Sequence, residues 1–223
     1  MVLRVQQGGA VSEGNWLRAE KQTGGKGRLG RVWKSPEGNL YCSTVVACHP
    51  KDPAPSTLSF VAALAVFETI IAYIPGRGVQ LKWPNDILVS GAKICGILLE
   101  RSGDFIILGI GINVSAAPDV ADKRVTSLSA EANGADIKAS AVLNSLAENL
   151  AKTLELWRDS GLQAILHKWQ ERAHPVGTSL QVSVDAERKI PGRFEGLTMD
   201  GALRLRKTDG TLIEIHAGDV EIG

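Results

Sequence analysis

The chain has 223 residues, of which 44% are hydrophobic and 22% charged, and its formal net charge is +1. This composition is that of an ordinary globular protein, and it excludes a chain-wide basic bias of the kind that long polyanions require. The length suffices for one large domain and a small one.

Membrane insertion, secretion and zinc chemistry are also disfavoured. No apolar run approaches the roughly 20 residues that a membrane span needs, and the N-terminus has no charged-then-apolar secretory pattern. The four histidines are scattered, and the three cysteines lie in apolar runs without metal-ligand spacing. We therefore predict a cytoplasmic protein with buried thiols, no membrane partner and no zinc site.

The first part of the chain predicts two strands and two helices. Residues 1–10 are predicted to be the tail of a helix that two glycines end. Residues 15–23 and 39–47 are predicted strands, the second apolar enough to be buried. Ser56 is a predicted N-cap for a buried helix over residues 57–74.

Short strands with turn residues between them follow at tight spacing. They are predicted over residues 79–83, 87–90, 93–101 and 105–113. Such spacing with glycine-containing connections is typical of an antiparallel meander. The polar stretch over residues 118–134 is predicted to be a loop.

The last third of the chain predicts two helices and then a change to short strands. One helix begins at Ser140 and ends near Gly161, and the next ends before Pro175. Alternating segments are predicted over residues 180–184, 189–198, 202–207 and 211–216. They indicate a small β-barrel or sandwich. We predict an α+β fold with a mixed, mostly antiparallel sheet and helices, divided into domains 1–175 and 176–223.

Glycines and cations are concentrated between Gln22 and Ser43. From Arg18 to Lys34 there are six cations and one acid, Glu20. Glycine lets a backbone approach a ligand closely, and Arg and Lys are suited to phosphate and carboxylate. The loop is therefore predicted to bind a small anionic ligand.

Other interpretations of this loop are weaker. The glycines of residues 25–30 match the dinucleotide fingerprint, but Pro36 and Gly38 forbid the helix that the fingerprint needs. A P-loop requires Lys-Ser/Thr after its last glycine, and here Arg31-Val32 follows. A solvated, mobile loop without a ligand is the remaining alternative.

Three further segments carry candidate ligand-binding residues. Asp86, next to Asn85, could hold a magnesium ion on nucleotide phosphates or close an Asx turn. Lys93 heads an apolar strand and could be a fixed charge in a site or an exposed strand end. Gly96, in mid-strand, predicts close approach by a ligand or backbone. Asn113 follows two strand glycines that leave room for something flat, and it could bond a nucleotide or close a bulge.

Several motifs in this order resemble those of the biotin–protein ligases. Gly25–Pro36 resembles the family's biotin-binding loop, usually written GRGRxGRxWxSP. Lys82–Asp86 is similar to its KWPND element, Lys93–Glu100 to KxxGIL-x-E and Gly109–Asn113 to GxGIN, and Val125–Leu128 also fits. The resemblance spans most of the chain and implies a class II synthetase-like catalytic domain followed by an SH3-like barrel.

The resemblance implies an ATP-dependent ligase. In this family the carboxylate of biotin attacks the α-phosphate of Mg·ATP to give biotinyl-5′-AMP. A lysine of the biotin carboxyl carrier protein of a carboxylase then attacks the adenylate. The resemblance implies no DNA partner and allows a homodimer. A lipoate–protein ligase-like acyltransferase and a non-enzymatic biotin or nucleotide sensor are the alternatives.

Residue roles also follow from the resemblance. The residues implied to bind biotin or its adenylate are Gln22, Lys26, Gly27, Arg28, Lys93 and Gly96. Those implied to bind ATP are Arg31, Trp33, Asn85, Asp86 and Asn113, with Asp86 also implied as a magnesium ligand. Arg28 would retain the reactive intermediate, and Lys93 would hold the carboxylate and the α-phosphate, so these two are the implied catalytic residues.

The chain departs from the family pattern in three places. Lys26 stands where the family usually has Arg, which loses a bidentate fork, and Leu29 stands where a second Arg is common. The family's Ser-Thr-Asn turn, which touches biotin, lies before the point at which this sequence begins. We therefore expect weak biotin affinity for the 223-residue form, and we expect no repressor role because no helix-turn-helix precedes the domain.

Overall fold

A computed structural model describes residues 11–121, 123–185 and 188–223. Its larger sheet has six antiparallel strands in the order β1-β2-β6-β5-β4-β3. They are β1 (Trp16–Ala19), β2 (Leu40–Ala47), β3 (Val79–Lys82), β4 (Asp86–Val89), β5 (Ala92–Ser102) and β6 (Phe105–Ile112). The predicted meander is thereby confirmed as β3 to β6, while the predicted helix tail at residues 1–10 lies outside the described residues.

Tight turns explain the meander. Ser90 and Gly91 join β4 to β5 with φ values of 49° and 80°, which is the left-handed pair that a right-twisted hairpin favours. Gly103, at φ 58°, joins β5 to β6, so that Ser102 pairs with Phe105. These two hairpins place Gly96 directly opposite Gly111 in the centre of the sheet.

Three α-helices within the described residues accompany the larger sheet: α1 (Leu58–Tyr73), α2 (Leu128–Glu131) and α3 (Ala139–Arg172). Helix α1 packs against β3, β4 and β5, and α3 packs along α1. Within α3, Gly161 has a non-helical φ of 76°, which divides α3 where two helices were predicted. Cys42 and Cys95 are buried as predicted, and burial raises the pKa of their thiols, whereas the third cysteine, Cys48, is only partly buried.

Some predicted boundaries were wrong. Ser56 is not the N-cap of α1, because Pro55–Thr57 forms a separate 3₁₀ turn and Thr57 precedes the helix without a side-chain cap. The strand predicted over residues 15–23 ends at Ala19. The predicted polar loop contains α2, whose N-terminus is capped by Ser127. Pro55–Tyr73 is also long and apolar enough to cross a membrane, but 61% of its most apolar 18-residue stretch is buried in the protein, as in a core helix.

The smaller sheet has five antiparallel strands in the order β10-β9-β8-β7-β11. They are β7 (Ser179–Ser183), β8 (Lys189–Leu197), β9 (Leu203–Lys207), β10 (Leu212–Ile215) and β11 (Asp219–Ile222). The first four correspond to the predicted segments, and β11 returns to pair with β7. The predicted α+β fold with a small C-terminal β unit is confirmed.

The smaller sheet contacts the larger one at the KWPND segment. The indole N–H of the buried Trp83 donates to the Gly201 carbonyl at 3.1 Å, and Lys82 Nζ donates to the Val220 carbonyl at 2.9 Å. His174, at the end of the helical region, is 3% exposed and packs edge-on against Phe194 with ring centroids 4.6 Å apart. These contacts bring β11 close to the edge strand β3 and to the segment that joins it to β4.

His174 predicts a pH-dependent stability. Burial, followed by the nearby charge of Lys82, lowers the pKa of His174 from 6.5 to about 4, and neither ring nitrogen has a hydrogen-bond partner among the described residues. Between pH 6.5 and about 4, His174 is therefore protonated in the unfolded chain but neutral in the folded chain. We expect the free energy of unfolding to fall by up to roughly 3 kcal/mol as the pH is lowered from 6.5 to about 4.

Urea denaturation at several pH values measures this effect. His174→Phe should flatten the dependence in that window, whereas His167→Gln, which changes an exposed histidine, should keep it. Equal pH slopes in the wild type and His174→Phe would show that other groups cause the effect.

Candidate active site

The basic loop forms a small hairpin of its own. Its two sides are joined by hydrogen bonds from Trp33 N to the Gly25 carbonyl at 2.9 Å and from Gly27 N to the Arg31 carbonyl at 2.7 Å. At its tip, the exposed Leu29 has a φ of 56°, a left-handed conformation that is uncommon for a residue with a side chain. The loop is therefore a folded element, which fixes where its cations lie.

The Trp33 indole lies on the centre of the larger sheet. A Cβ atom added at Gly96 would be 2.8 Å from Trp33 Cζ3, and one at Gly111 would be 2.8 Å from Cε2 and Cζ2. The two glycines face each other across β5 and β6. The flat group for which strand glycines leave room is thus Trp33, and only glycine fits at both positions while the ring is there.

Lys93 and Asp86 form the charged centre beside this ring. Lys93 Nζ is 2.5 Å from Asp86 Oδ1 and 5.4 Å from the centroid of the Trp33 ring. Lys82 Nζ is 3.2 Å from Asp86 Oδ2. Burial alone would raise the pKa of Asp86, but Lys93 and Lys82 outweigh it, so this pKa lies below its ordinary value and the carboxylate is charged.

Arg28 reaches the same cluster from the loop. Its Nη1 is 3.4 Å from Asn85 Oδ1 and 3.1 Å from the Gly218 carbonyl. The side-chain N–H of Asn85 in turn donates to the Ile97 carbonyl on β5. Burial lowers the pKa of Arg28, while Asp219 and then Asp86 raise it, so two carboxylates offset part of the desolvation cost.

The remaining predicted residues lie around this cluster. Arg31 is paired with Asp219. Gln22 is exposed at the base of the loop, where its Oε1 accepts from Ser35 Oγ at 3.1 Å, and the Lys26 side chain is exposed. Asn113 is buried, and its Nδ2 donates to the Thr126 carbonyl at 3.0 Å. The predicted residues therefore divide into a central group, formed by Arg28, Asn85, Asp86 and Lys93, and a peripheral group to which Gln22 and Lys26 belong.

Two residues near the loop were not singled out from the sequence. Asn39 is buried, and its Oδ1 accepts from the backbone N–H groups of Val114, Ser115 and Ala116 at 2.9 to 3.1 Å. This clamp fixes the chain just after Asn113. A lone Asn beside a turn glycine carries no signal of such a role. The second residue is Asp219, which lies in the other sheet.

The cluster does not favour magnesium bound directly by the protein. Both oxygens of Asp86 already contact ammonium groups. The described residues contain no group of three or more His, Cys, Asp or Glu side chains that could hold a metal ion. The geometry therefore argues against the prediction that Asp86 is a magnesium ligand, because a carboxylate shared by two lysines has little capacity left for a hard cation.

Comparison with known proteins covers nearly the whole chain. Residues 9–115 match the Biotin/lipoate A/B protein ligase family and residues 181–223 the Biotin protein ligase C terminal domain. The chain is 33% identical to the Biotin--[acetyl-CoA-carboxylase] ligase of Paracoccus denitrificans, over 96% of this chain and 92% of that protein. It is 32% identical to the Mycobacterium tuberculosis protein of the same name, over 95% of this chain and 80% of that protein. The structure of "Biotin protein ligase from Aquifex aeolicus in complex with biotin and ATP" is similar with a TM-score of 0.85 and 30% identity, over 100% of this chain and 94% of that one.

Proposed function

The chain belongs to the biotin–protein ligase family, and we propose that the site described above carries out the reaction of that family. The protein is a biotin–[acetyl-CoA-carboxylase] ligase, which activates biotin with ATP and transfers it to a carrier protein. The main support is geometric: the basic loop lies over the Asp86–Lys93 pair and adds the Arg28 guanidinium to it. A site of this kind is suited to two anionic substrates.

In the proposed first step, the carboxylate of biotin attacks the α-phosphate of ATP, and pyrophosphate leaves. Both reactants are anionic, so the barrier includes their repulsion, and fixed cations lower it most. Lys93 holds the carboxylate and the α-phosphate together, with Asp86 keeping its ammonium group oriented. Arg28 reaches the cluster from the loop, beside Asn85, and binds the charge that develops on oxygen.

In the proposed second step, a lysine amine of the carrier attacks the mixed anhydride and AMP leaves. Neither step needs a nucleophilic side chain, which agrees with the thiols of Cys42 and Cys95 being buried and protonated. The loop has to exclude water between the two steps, because the anhydride is hydrolysed easily. The backbone hydrogen bonds of the loop hairpin, and the contact of Trp33 with Gly96 and Gly111, keep the loop folded over the site.

The assignment of individual residues is part of the proposal. Biotin and its adenylate contact Gln22, Lys26, Gly27, Arg28 and Lys93, and the nucleotide contacts Arg31, Trp33, Asn85, Asp86 and Asn113. Gly96, which the resemblance assigns to biotin, is instead covered by the Trp33 ring. Mg²⁺ enters on the phosphates of ATP and neutralises part of their charge. We place the domain boundary near residue 175, and we propose a cytoplasmic protein that binds a biotin carboxyl carrier protein and no DNA. We propose that it can form a homodimer, for which light scattering would give twice the mass of one chain.

A pyrophosphate-release assay separates the remaining alternatives. The ligase produces pyrophosphate from ATP only when biotin is added, whereas a non-enzymatic biotin or nucleotide sensor produces none. Replacing biotin by lipoate in the same assay tests the lipoate–protein ligase alternative. Release with lipoate but not with biotin would contradict the proposed substrate.

A further inference from the structure

The loop is tied to the smaller sheet by one carboxylate, that of Asp219. Arg28 Nη1 is 3.5 Å from Asp219 Oδ1, and Arg31 Nη2 is in contact with Asp219 Oδ2. The two arginines belong to the tip of the loop, and Asp219 begins strand β11. The same carboxylate therefore holds both sides of the loop tip against the other sheet.

Asp219 is fixed by its surroundings. It pairs with Ser183 on β7, and the preceding Gly218 approaches this strand so closely that a Cβ there would lie 2.8 Å from the Ser183 carbonyl. The Gly218 carbonyl itself accepts from Arg28 at 3.1 Å, and the neighbouring Val220 carbonyl accepts from Lys82 at 2.9 Å. A carboxylate held on a paired strand can hold a loop in one place.

Given the proposed function, we infer that Asp219 is a positioning residue that holds the basic loop closed over the acyl-adenylate. The side chain of Asp219 pairs with the loop cations Arg28 and Arg31, so its effect on the reaction passes through them. With the loop closed, Trp33 lies on its two glycines and Arg28 reaches Asn85. Losing the carboxylate lets the loop open more often, so that the intermediate escapes before the carrier lysine attacks it.

Escape of the adenylate is measurable as biotin on proteins that are not carriers. The test compares Asp219→Asn, Asp219→Glu and Glu221→Gln with the wild type, each incubated with biotin, ATP, a carrier domain and serum albumin. The side chains of Asp219, Arg28 and Arg31 are 32%, 24% and 46% exposed, so each ion pair is of modest strength. We expect Asp219→Asn to raise the ratio of albumin to carrier labelling about 3- to 10-fold.

Two controls make the result specific. Glu221 lies on the same strand and pairs with Lys189 at 3.2 Å, away from the loop, so Glu221→Gln should leave the ratio unchanged. Asp219→Glu keeps the charge and should restore most of the retention.

A double mutant tests whether Asp219 acts through Arg31. Arg31→Gln should raise the ratio by itself, and adding Asp219→Asn to it should have less effect than in the wild type, because the two residues share one contact.

The outcomes distinguish this inference from the proposed function. If the wild type releases no pyrophosphate with biotin, the proposed function is wrong. If the wild type is active and Asp219→Asn gives the same labelling ratio as Glu221→Gln, only the role of Asp219 is wrong. Faster carrier labelling by Asp219→Asn without more albumin labelling would also overturn it, since Asp219 would then restrain the arginines from acting.

Discussion

Replacing Lys93 by Met is expected to lower biotin-dependent pyrophosphate release by about 100- to 1,000-fold, which is typical of losing a preorganised charge. The variant keeps the length of the side chain but removes the ammonium group that pairs with Asp86 at 2.5 Å. Because Asp86 retains Lys82 at 3.2 Å, the carboxylate is not left without a partner. The loss of activity should therefore exceed what partial unfolding could explain.

Thermal unfolding and a matched lysine variant separate the two effects. Lys189 is half exposed and pairs with Glu221 on the surface of the smaller sheet, so Lys189→Met should keep full activity. Lys93→Met should remain folded at the assay temperature. Activity within threefold of the wild type would mean that the ammonium group of Lys93 does not act on the substrates.

Replacing Gly111 by Ala is expected to lower the same activity by at least about tenfold. The alanine Cβ would lie 2.8 to 2.9 Å from three atoms of the Trp33 indole, so the ring has to move away from the sheet. Overpacking of this kind typically costs about 1–3 kcal/mol, and here the loop can avoid the cost by opening. Trypsin should accordingly cleave the variant faster after the loop cations Lys26, Arg28 and Arg31.

Gly109→Ala is the matched control, because Gly109 is two residues away on the same strand and face. A Cβ there would meet its nearest atom at 3.6 Å, an ordinary contact, so activity and trypsin sensitivity should change little. In a Trp33→Ala background, Gly111→Ala should cause no further increase in trypsin cleavage. If Gly111→Ala and Gly109→Ala behave alike in both assays, Trp33 does not lie against Gly111 in solution.

The features that could be predicted from the sequence are those set by local chemistry. Turn glycines such as Gly91 and Gly103 mark the hairpins of the meander, and Gly161 marks the division of α3. Gly96 was predicted to permit close approach, and the structure supplies the approaching group. The central group of charged residues was implied by the resemblance to the biotin–protein ligases, and the motifs that carry it lie on or between strands of the larger sheet.

What could not be predicted depends on contacts between distant parts of the chain. Arg31 and Asp219 are 188 positions apart in the sequence. No local pattern predicts that β11 pairs with β7 and thereby brings Asp219 to the loop. Ser56 was assigned as a cap because its residue type is favourable, but Pro55 starts a separate 3₁₀ turn that moves the helix start to Leu58. Trp33 was expected over the nucleotide, and its place on Gly96 and Gly111 depends on how the whole loop folds.

Mass spectrometry of a carboxylase carrier domain tests the central claim, that a cationic loop closes over two anionic substrates and retains their product. After incubation with the protein, ATP and biotin, the carrier should gain the mass of one biotin, and it should gain none when ATP is omitted. With Arg28→Gly, labelling should spread to further lysines and to bystander proteins, because the loop no longer retains the adenylate. A folded wild-type protein that leaves the carrier mass unchanged would contradict the account.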